Sequence, residues 1–251
     1  MVAIVSNNRE FIFKAVADMY TDVAQHPLKG FHFPTGRLAC LFVGYPAAQL
    51  DRIPGTATES FAGVGYPFAA DVIREGDTVL DIGSGSGTDS LITSLLVGGG
   101  GKVYGLDMTA AMLEKIRRNI EAMGALNVEP VSGNAEEIPL PDASVDVVTS
   151  NGVLNLVPDK PRAFREIVRV LKPGGRVQIS DISLAKPVSE RHARTRSCGR
   201  NAWSGRSWKT TISACSAPPA SRSKRSAAST IFPAARAPIR AARRTASART
   251  R

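Results

Sequence analysis

Val79-Leu-Asp-Ile-Gly-Ser-Gly-Ser-Gly-Thr-Asp89 decides how the rest of this chain is read. An apolar strand runs straight into a glycine-rich turn, and a helix follows. Asp81 closes the strand, and Gly83, Gly85 and Gly87 occupy alternate positions. Glycine is needed where φ must be positive or where a ligand lies against the backbone. Three of them at a strand-to-helix turn describe a nucleotide-sized cofactor resting on a helix N-terminus. A dinucleotide fingerprint starting at Gly83 would need a further glycine at 88. That position is Thr88, so the spacing is G-x-G-x-G.

Outward from this turn, strands and helices alternate. The pattern predicts a strand Thr78–Ile82 and a helix from Ser86 to Val97. Strand Lys102–Leu106, helix Ala110–Met123 and strand Val128–Val131 follow. Beyond them come strand Val145–Ser150, a helix from Asp159 to Leu171 and strand Arg176–Ile182. Such alternation implies an α/β fold with a doubly wound, mostly parallel, Rossmann-like sheet. Lys172-Pro-Gly-Gly175 reads as a helix-terminating run. Toward the N-terminus, Phe11, Ala15, Met19 and Val23 lie at helical spacing in Arg9–Val23. Residues 26–68 are rich in Gly, Pro and aromatics and read as an irregular lid or substrate segment. The expected layout is a helix and lid segment over 1–70, a cofactor-binding core over 71–185 and a distinct tail over 186–251.

Charge marks that last boundary. The formal net charge is +10, but residues 1–185 hold 16 Lys and Arg against 21 Asp and Glu. The tail holds 16 Lys and Arg against a single acid, Glu190, and contains no leucine. Without large apolar groups it is not expected to supply the strands that normally complete such a sheet. Three readings of the tail stay open. It is a disordered basic arm that attracts phosphates, a solvated linker or export tail, or the product of a shifted reading frame. The third is favoured by its Arg/Ala/Ser/Pro-rich composition, and nucleic acid is not the expected partner. No run of 18 apolar residues suggests a membrane span. The N-terminus does not read as a signal peptide. Cys40, Cys198 and Cys215 are too widely spaced for a zinc motif or a disulfide framework, so no metal is expected and a reducing cytoplasm is.

In an open α/β sheet, ligands bind beyond the carboxyl ends of the strands. Asp107 ends the second strand, where a carboxylate can accept hydrogen bonds from two ribose hydroxyls. Asn134 follows the third strand and offers both donor and acceptor to an adenine edge, although asparagine is also an ordinary turn former. Asn151 ends the fourth strand, facing the other half of the ligand. Asp81, at the sheet floor, could bond a turn amide or an ammonium group. Asp89 in the first helical turn suits the helix dipole in any case. Among acid–base candidates, His26, His32, Tyr45 and Tyr66 lie in the N-terminal segment. Tyr66 and Asn155 are the candidates for the reacting end, and no general base is named.

These strand ends together resemble the class I S-adenosylmethionine (SAM) methyltransferases over residues 70–184, with Leu171-Lys-Pro-Gly-Gly175 similar to their turn before the fifth strand. Within that group the chain is most similar to arsenite methyltransferases. Asp81–Asp89 resembles their first motif and Gly105-Leu-Asp-Met-Thr109 their ribose motif. Ser150-Asn-Gly-Val-Leu-Asn-Leu-Val-Pro-Asp-Lys160 resembles their most specific run. The resemblance implies SAM as cofactor and a small-molecule methyl acceptor. It implies a cofactor site of Asp81, Gly83, Ser84, Gly85, Gly87, Asp107, Met108, Asn134, Ala135 and Asn151. It also implies cysteine thiolates for As(III), but Val64 and Gly152 stand at two of those positions and the surroundings of Cys198 do not match the third. Arsenic is thiophilic, so these replacements remove its ligands. The first motif and the Leu171–Gly175 run are also similar to those of ubiquinone/menaquinone-type C-methyltransferases. A SAM-binding remnant without turnover is the remaining alternative.

Overall fold

The computed structural model describes residues 9–183, 209–216 and 229–233. Five adjacent parallel strands make up most of one sheet: β1 (Thr78–Ile82), β2 (Lys102–Asp107), β3 (Val128–Ser132), β4 (Val145–Asn151) and β5 (Leu171–Ser183). They lie in the order β3-β2-β1-β4-β5. The order reverses on either side of β1, and this reversal opens a crevice at the strands' carboxyl ends.

Alternation along β1 shows how both faces are used. Val79 joins an apolar cluster with Leu91, Ile92, Val103 and Val147. Leu80 and Ile82 point into a second cluster with Val148, Ile167 and Val170. Strand residues that bury alternate side chains on two covered faces give the near-continuous apolar run seen in the sequence. The covering helices are α1 (Arg9–Gln25), α5 (Thr88–Val97), α6 (Ala110–Met123) and α7 (Lys160–Val170). Gly124, at φ 65, ends α6, and the Asp159 carboxylate caps α7 by accepting from the Arg162 amide at 2.9 Å.

Four expectations are corrected. The segment 26–68 is only partly irregular: it contains the short helices α2 (Gly36–Phe42), α3 (Ala47–Leu50) and α4 (Gly55–Glu59). Helices of one or two turns are too short to show a period, and Pro46 and Pro54 start two of them. Second, α1 buries Ile12, Val16 and Val23, while Phe11 stays 58% exposed. The helix is where the spacing predicts, rotated by one residue. Third, α7 does end just before Lys172–Gly175, but the fifth strand starts earlier than Arg176: Lys172–Gly175 lies within β5 as a bulge, where the register on β4 shifts between Val145 and Val147.

Fourth, the sheet continues past β5 into β6 (Lys209–Ser216) and β7 (Ser229–Pro233), both antiparallel. β-Branched and aromatic residues in Thr210-Thr-Ile212 and Thr230-Ile-Phe232 suit strands without any leucine. An open β5 edge also offers a full row of backbone partners. The proposed character of the tail elsewhere, over 186–208, 217–228 and 234–251, lies outside the described residues. No helix among the described residues is long and apolar enough to cross a membrane.

Candidate cofactor site

The glycine turn is built by backbone geometry. Gly83, Gly85 and Gly87 adopt φ of 75°, 54° and 97°, which side-chain-bearing residues rarely hold. A Cβ at Gly83 would overlap the Val153 side chain, whereas the nearest atom to one at Gly85 would be Met112 Sδ at 4.0 Å. The Gly83 and Ser84 amides donate to the Leu106 carbonyl at 2.7 and 3.0 Å, which ties the turn to the end of β2. From there the Asp107 carboxylate accepts from the Gly85 amide at 2.9 Å and from the Thr109 amide at 2.8 Å.

A cavity opens above the turn. Its lining includes Gly83, Ser84, Gly85, Asp107, Met108, Asn134, Ala135 and Asn151. Eight of the ten sequence-predicted cofactor residues therefore meet at one place. Asp81 and Gly87 stand behind the lining: Asp81 accepts from the Ser90 hydroxyl at 2.6 Å, and Gly87 caps α5. Asn134 Oδ1 accepts from the Glu136 amide at 2.8 Å, which holds its loop. Ser84 Oγ is buried and has no hydrogen-bond partner among the described residues.

Asn151 is occupied by the protein. Its Oδ1 accepts from the Val64 and Gly65 amides at 2.8 and 3.3 Å. Its Nδ2 donates to the Gly65 carbonyl at 3.0 Å, to the Tyr45 hydroxyl at 2.9 Å and to Asp89 Oδ2 at 3.1 Å. It pins the Gly63–Gly65 segment against the strand end, and a Cβ at Gly63 would run into its amide.

The structure does not bring the two reacting-end candidates to the cavity wall. Tyr66 packs on Tyr45 and Phe68, with ring centroids 4.9 and 5.6 Å away. The Asn155 amide donates to Asp181 Oδ1 at 2.5 Å and to the Ile182 carbonyl at 2.7 Å. His26 is exposed beside Asp22 at 2.9 Å. The sequence reading missed α1 as a wall, although Phe13, Val16 and Tyr20 line the cavity. It also missed the pairing of Tyr45 with Asp89, whose carboxylate lines the cavity and accepts from the Tyr45 hydroxyl.

Electrostatically, the site is an acidic floor. Burial, reinforced by the nearby Asp89, pushes the Asp81 carboxyl up to about 8. Burial also raises Asp89, against the donors Tyr45 and Asn151 that favour its charged form. Asp107 is raised by the same cause, offset by the amides it accepts from. Tyr20 is pushed up to about 12 by burial and then by Asp107. A carboxylate kept from water favours its neutral form unless a positive partner arrives.

Residues 73–217, more than half of the chain, match the family described as "Methyltransferase domain". The chain belongs to this methyltransferase-domain family. The match runs from just before β1 to the end of β6. An arsenite methyltransferase of Halobacterium salinarum is 46% identical over 148 residues, covering 59% of this chain and 38% of that protein. A ubiquinone/menaquinone biosynthesis C-methyltransferase of Escherichia coli is 42% identical over 119 residues, covering 47% of each. The chain thus spans less than half the length of these curated relatives. The crystal structure of an arsenic(III) S-adenosylmethionine methyltransferase from Chlamydomonas reinhardtii is similar with TM-score 0.53 and 38% identity. That likeness covers 57% of this chain and 50% of the other.

Proposed function

We propose that this chain is a SAM-dependent methyltransferase acting on a small-molecule acceptor. The observation that carries the reading is Asp107, anchored by the Gly85 and Thr109 amides at the lip of the glycine-turn cavity. Ionised, it is an acceptor-only group that lines the cavity, where it can accept from a ribose diol. The residues fit the cofactor in three other respects. Ser84 Oγ is an orphaned hydroxyl in the wall. Gly85 leaves open space where a side chain would intrude. The acidic floor suits a ligand carrying a sulfonium and an ammonium group.

S-Adenosylmethionine, when bound, supplies a methyl group on cationic sulfur for in-line displacement. The chain's contribution is placement and exclusion of water. Asp107 would hold the ribose, with Met108 beside it. Asn134, whose Oδ1 is engaged, would present Nδ2 to the adenine, with Ala135 packed next to it. Asp81 and Gly87 would fix the turn from behind. Asn151 would hold the Gly63–Gly65 wall at the methyl-bearing end.

The acceptor end supports a carbon or oxygen acceptor over As(III). A Cβ on Gly152 would sit 3.2 Å from Val64 Cγ1, so the two positions at which the arsenite methyltransferase resemblance implies cysteine are neighbours here. They carry a hydrogen and an isopropyl group. Cys40 is fully buried, and burial pushes its thiol up to about 12. Cys198 lies outside the described residues. A labelled-methyl assay tests this: SAM with As(III) and thiol against SAM with quinols. Transfer to a quinol and none to As(III) is expected; the reverse overturns the acceptor reading.

A further inference from the structure

Two buried carboxylates beside the glycine turn have only neutral hydrogen-bond partners. Asp81 is 2% exposed and accepts from the Ser90 hydroxyl at 2.6 Å. Asp89 is 6% exposed and accepts from the Tyr45 hydroxyl and, at 3.1 Å, from the Asn151 amide. The titratable groups whose charges act on this pair come from several elements: Cys40 of α2, Tyr45 after it, Tyr66 after α4 and Asp107 of β2. Every one of them is an acid. Tyr20 of α1, also an acid, faces Asp107 in turn.

A second feature points to a ligand independently. Ser84 is 7% exposed, and its hydroxyl has no partner among the described residues. It shares the cavity wall with Asp89. A polar group is buried with nothing to bond, next to a pair of acids with no cation among their partners. Both deficits are met by one ligand that brings an acceptor and a positive charge.

We propose that Asp89, backed by Asp81, is the specificity-determining group that separates the cationic cofactor from its demethylated product. In the free protein the pair retains a proton, because two adjacent buried carboxylates resist ionising together. A sulfonium supplies the missing charge, so the proton leaves to solvent when SAM binds. The product, S-adenosylhomocysteine, keeps the ammonium group but carries a neutral thioether, so it lacks the charge that displaces the proton most strongly. Product release is thereby favoured without any moving part. Burial, which holds both carboxyls above their usual range, agrees with this.

The inference rests on the SAM reading above, and one calorimetric design separates the two. The full chain is titrated with SAM and with S-adenosylhomocysteine in phosphate and in Tris. These buffers differ in ionisation enthalpy, so the heats count protons. SAM is expected to release close to ~1 proton near neutral pH and S-adenosylhomocysteine distinctly fewer. The SAM-to-product affinity ratio should rise ~10-fold or more from about pH 6 to about pH 8. Asp89→Asn should flatten that ratio while still binding the product. If that variant does not fold, the wild-type proton counts decide alone. SAM binding with no proton release and a pH-independent ratio overturns the proposal and leaves the SAM reading standing. Failure of the folded chain to bind either ligand overturns both.

Discussion

At the residue scale Gly83 and Asp107 shape the cofactor cavity. Gly83 sits at φ 75° with Val153 where a Cβ would go. Gly83→Ala should lose ~1–3 kcal/mol of stability, seen as a lower melting temperature, together with SAM binding. Asp107 holds two amides and the ligand lip, so Asp107→Ala should weaken SAM binding by ~2 kcal/mol, about 30-fold, in calorimetry. Both residues were legible in the sequence because their constraints are local: a positive φ at a strand-to-helix turn and a carboxylate at the next strand's end. Asp89 was visible only as a helix-dipole acid. Its partner Tyr45 lies 44 positions away, and no short-range pattern announces that contact. Asn151 was legible as a strand end. Its bonding to Gly63–Gly65 was not, because that depends on how the N-terminal segment folds back.

At the element scale α1 is the helix whose buried face differs from the one its spacing predicts. Helical spacing placed it correctly, but the face was displaced because Phe11 and Ile12 are equally apolar and only tertiary packing chooses between them. The chosen face puts Phe13, Val16 and Tyr20 over the cavity. Arg9 fastens its N-terminal end to the fully buried Glu136 carboxylate at 2.6 Å, beside the Asn134–Ala135 wall. Glu136 also accepts from the Asp159 amide at 2.9 Å, so it links α1 to the start of α7. Arg9→Ala leaves a buried carboxylate without its cation. Because Arg9 is itself 45% exposed, the expected loss is modest, ~1 kcal/mol. Hydrogen exchange should then speed up in α1 before it does in the sheet. Equal protection of α1 in the variant would show that the pair fastens nothing. The short helices α2 to α4 were not legible, since so few residues give no period to detect.

At the scale of the whole molecule, a five-stranded parallel sheet was implied by strand alternation, whereas its order β3-β2-β1-β4-β5 and the strands β6 and β7 were not. A tail judged by its missing leucine conceals short β-branched runs that need only an open edge to pair with. The acidic floor gives the molecule a pH dependence whose sign follows from Asp81. Burial pushes its folded value up to about 8, well above the usual carboxylate range. A raised value contributes stability that is present below the unfolded range and lost as pH rises through the folded value. Cofactor-free stability should therefore fall from about pH 6 to about pH 8, by up to ~1.4 kcal/mol per pH unit for this group, read as a falling melting temperature. Asp81→Asn should lessen that slope, and saturating SAM should lessen it too by supplying positive charge. The measurement that bears most directly on the central claim is calorimetric titration of the folded chain with SAM, alongside Asp107→Ala. Saturable binding at one site, weakened about 30-fold in the variant, is the predicted result. A folded chain that shows no SAM binding, or an Asp107→Ala variant that binds as tightly as wild type, would contradict it.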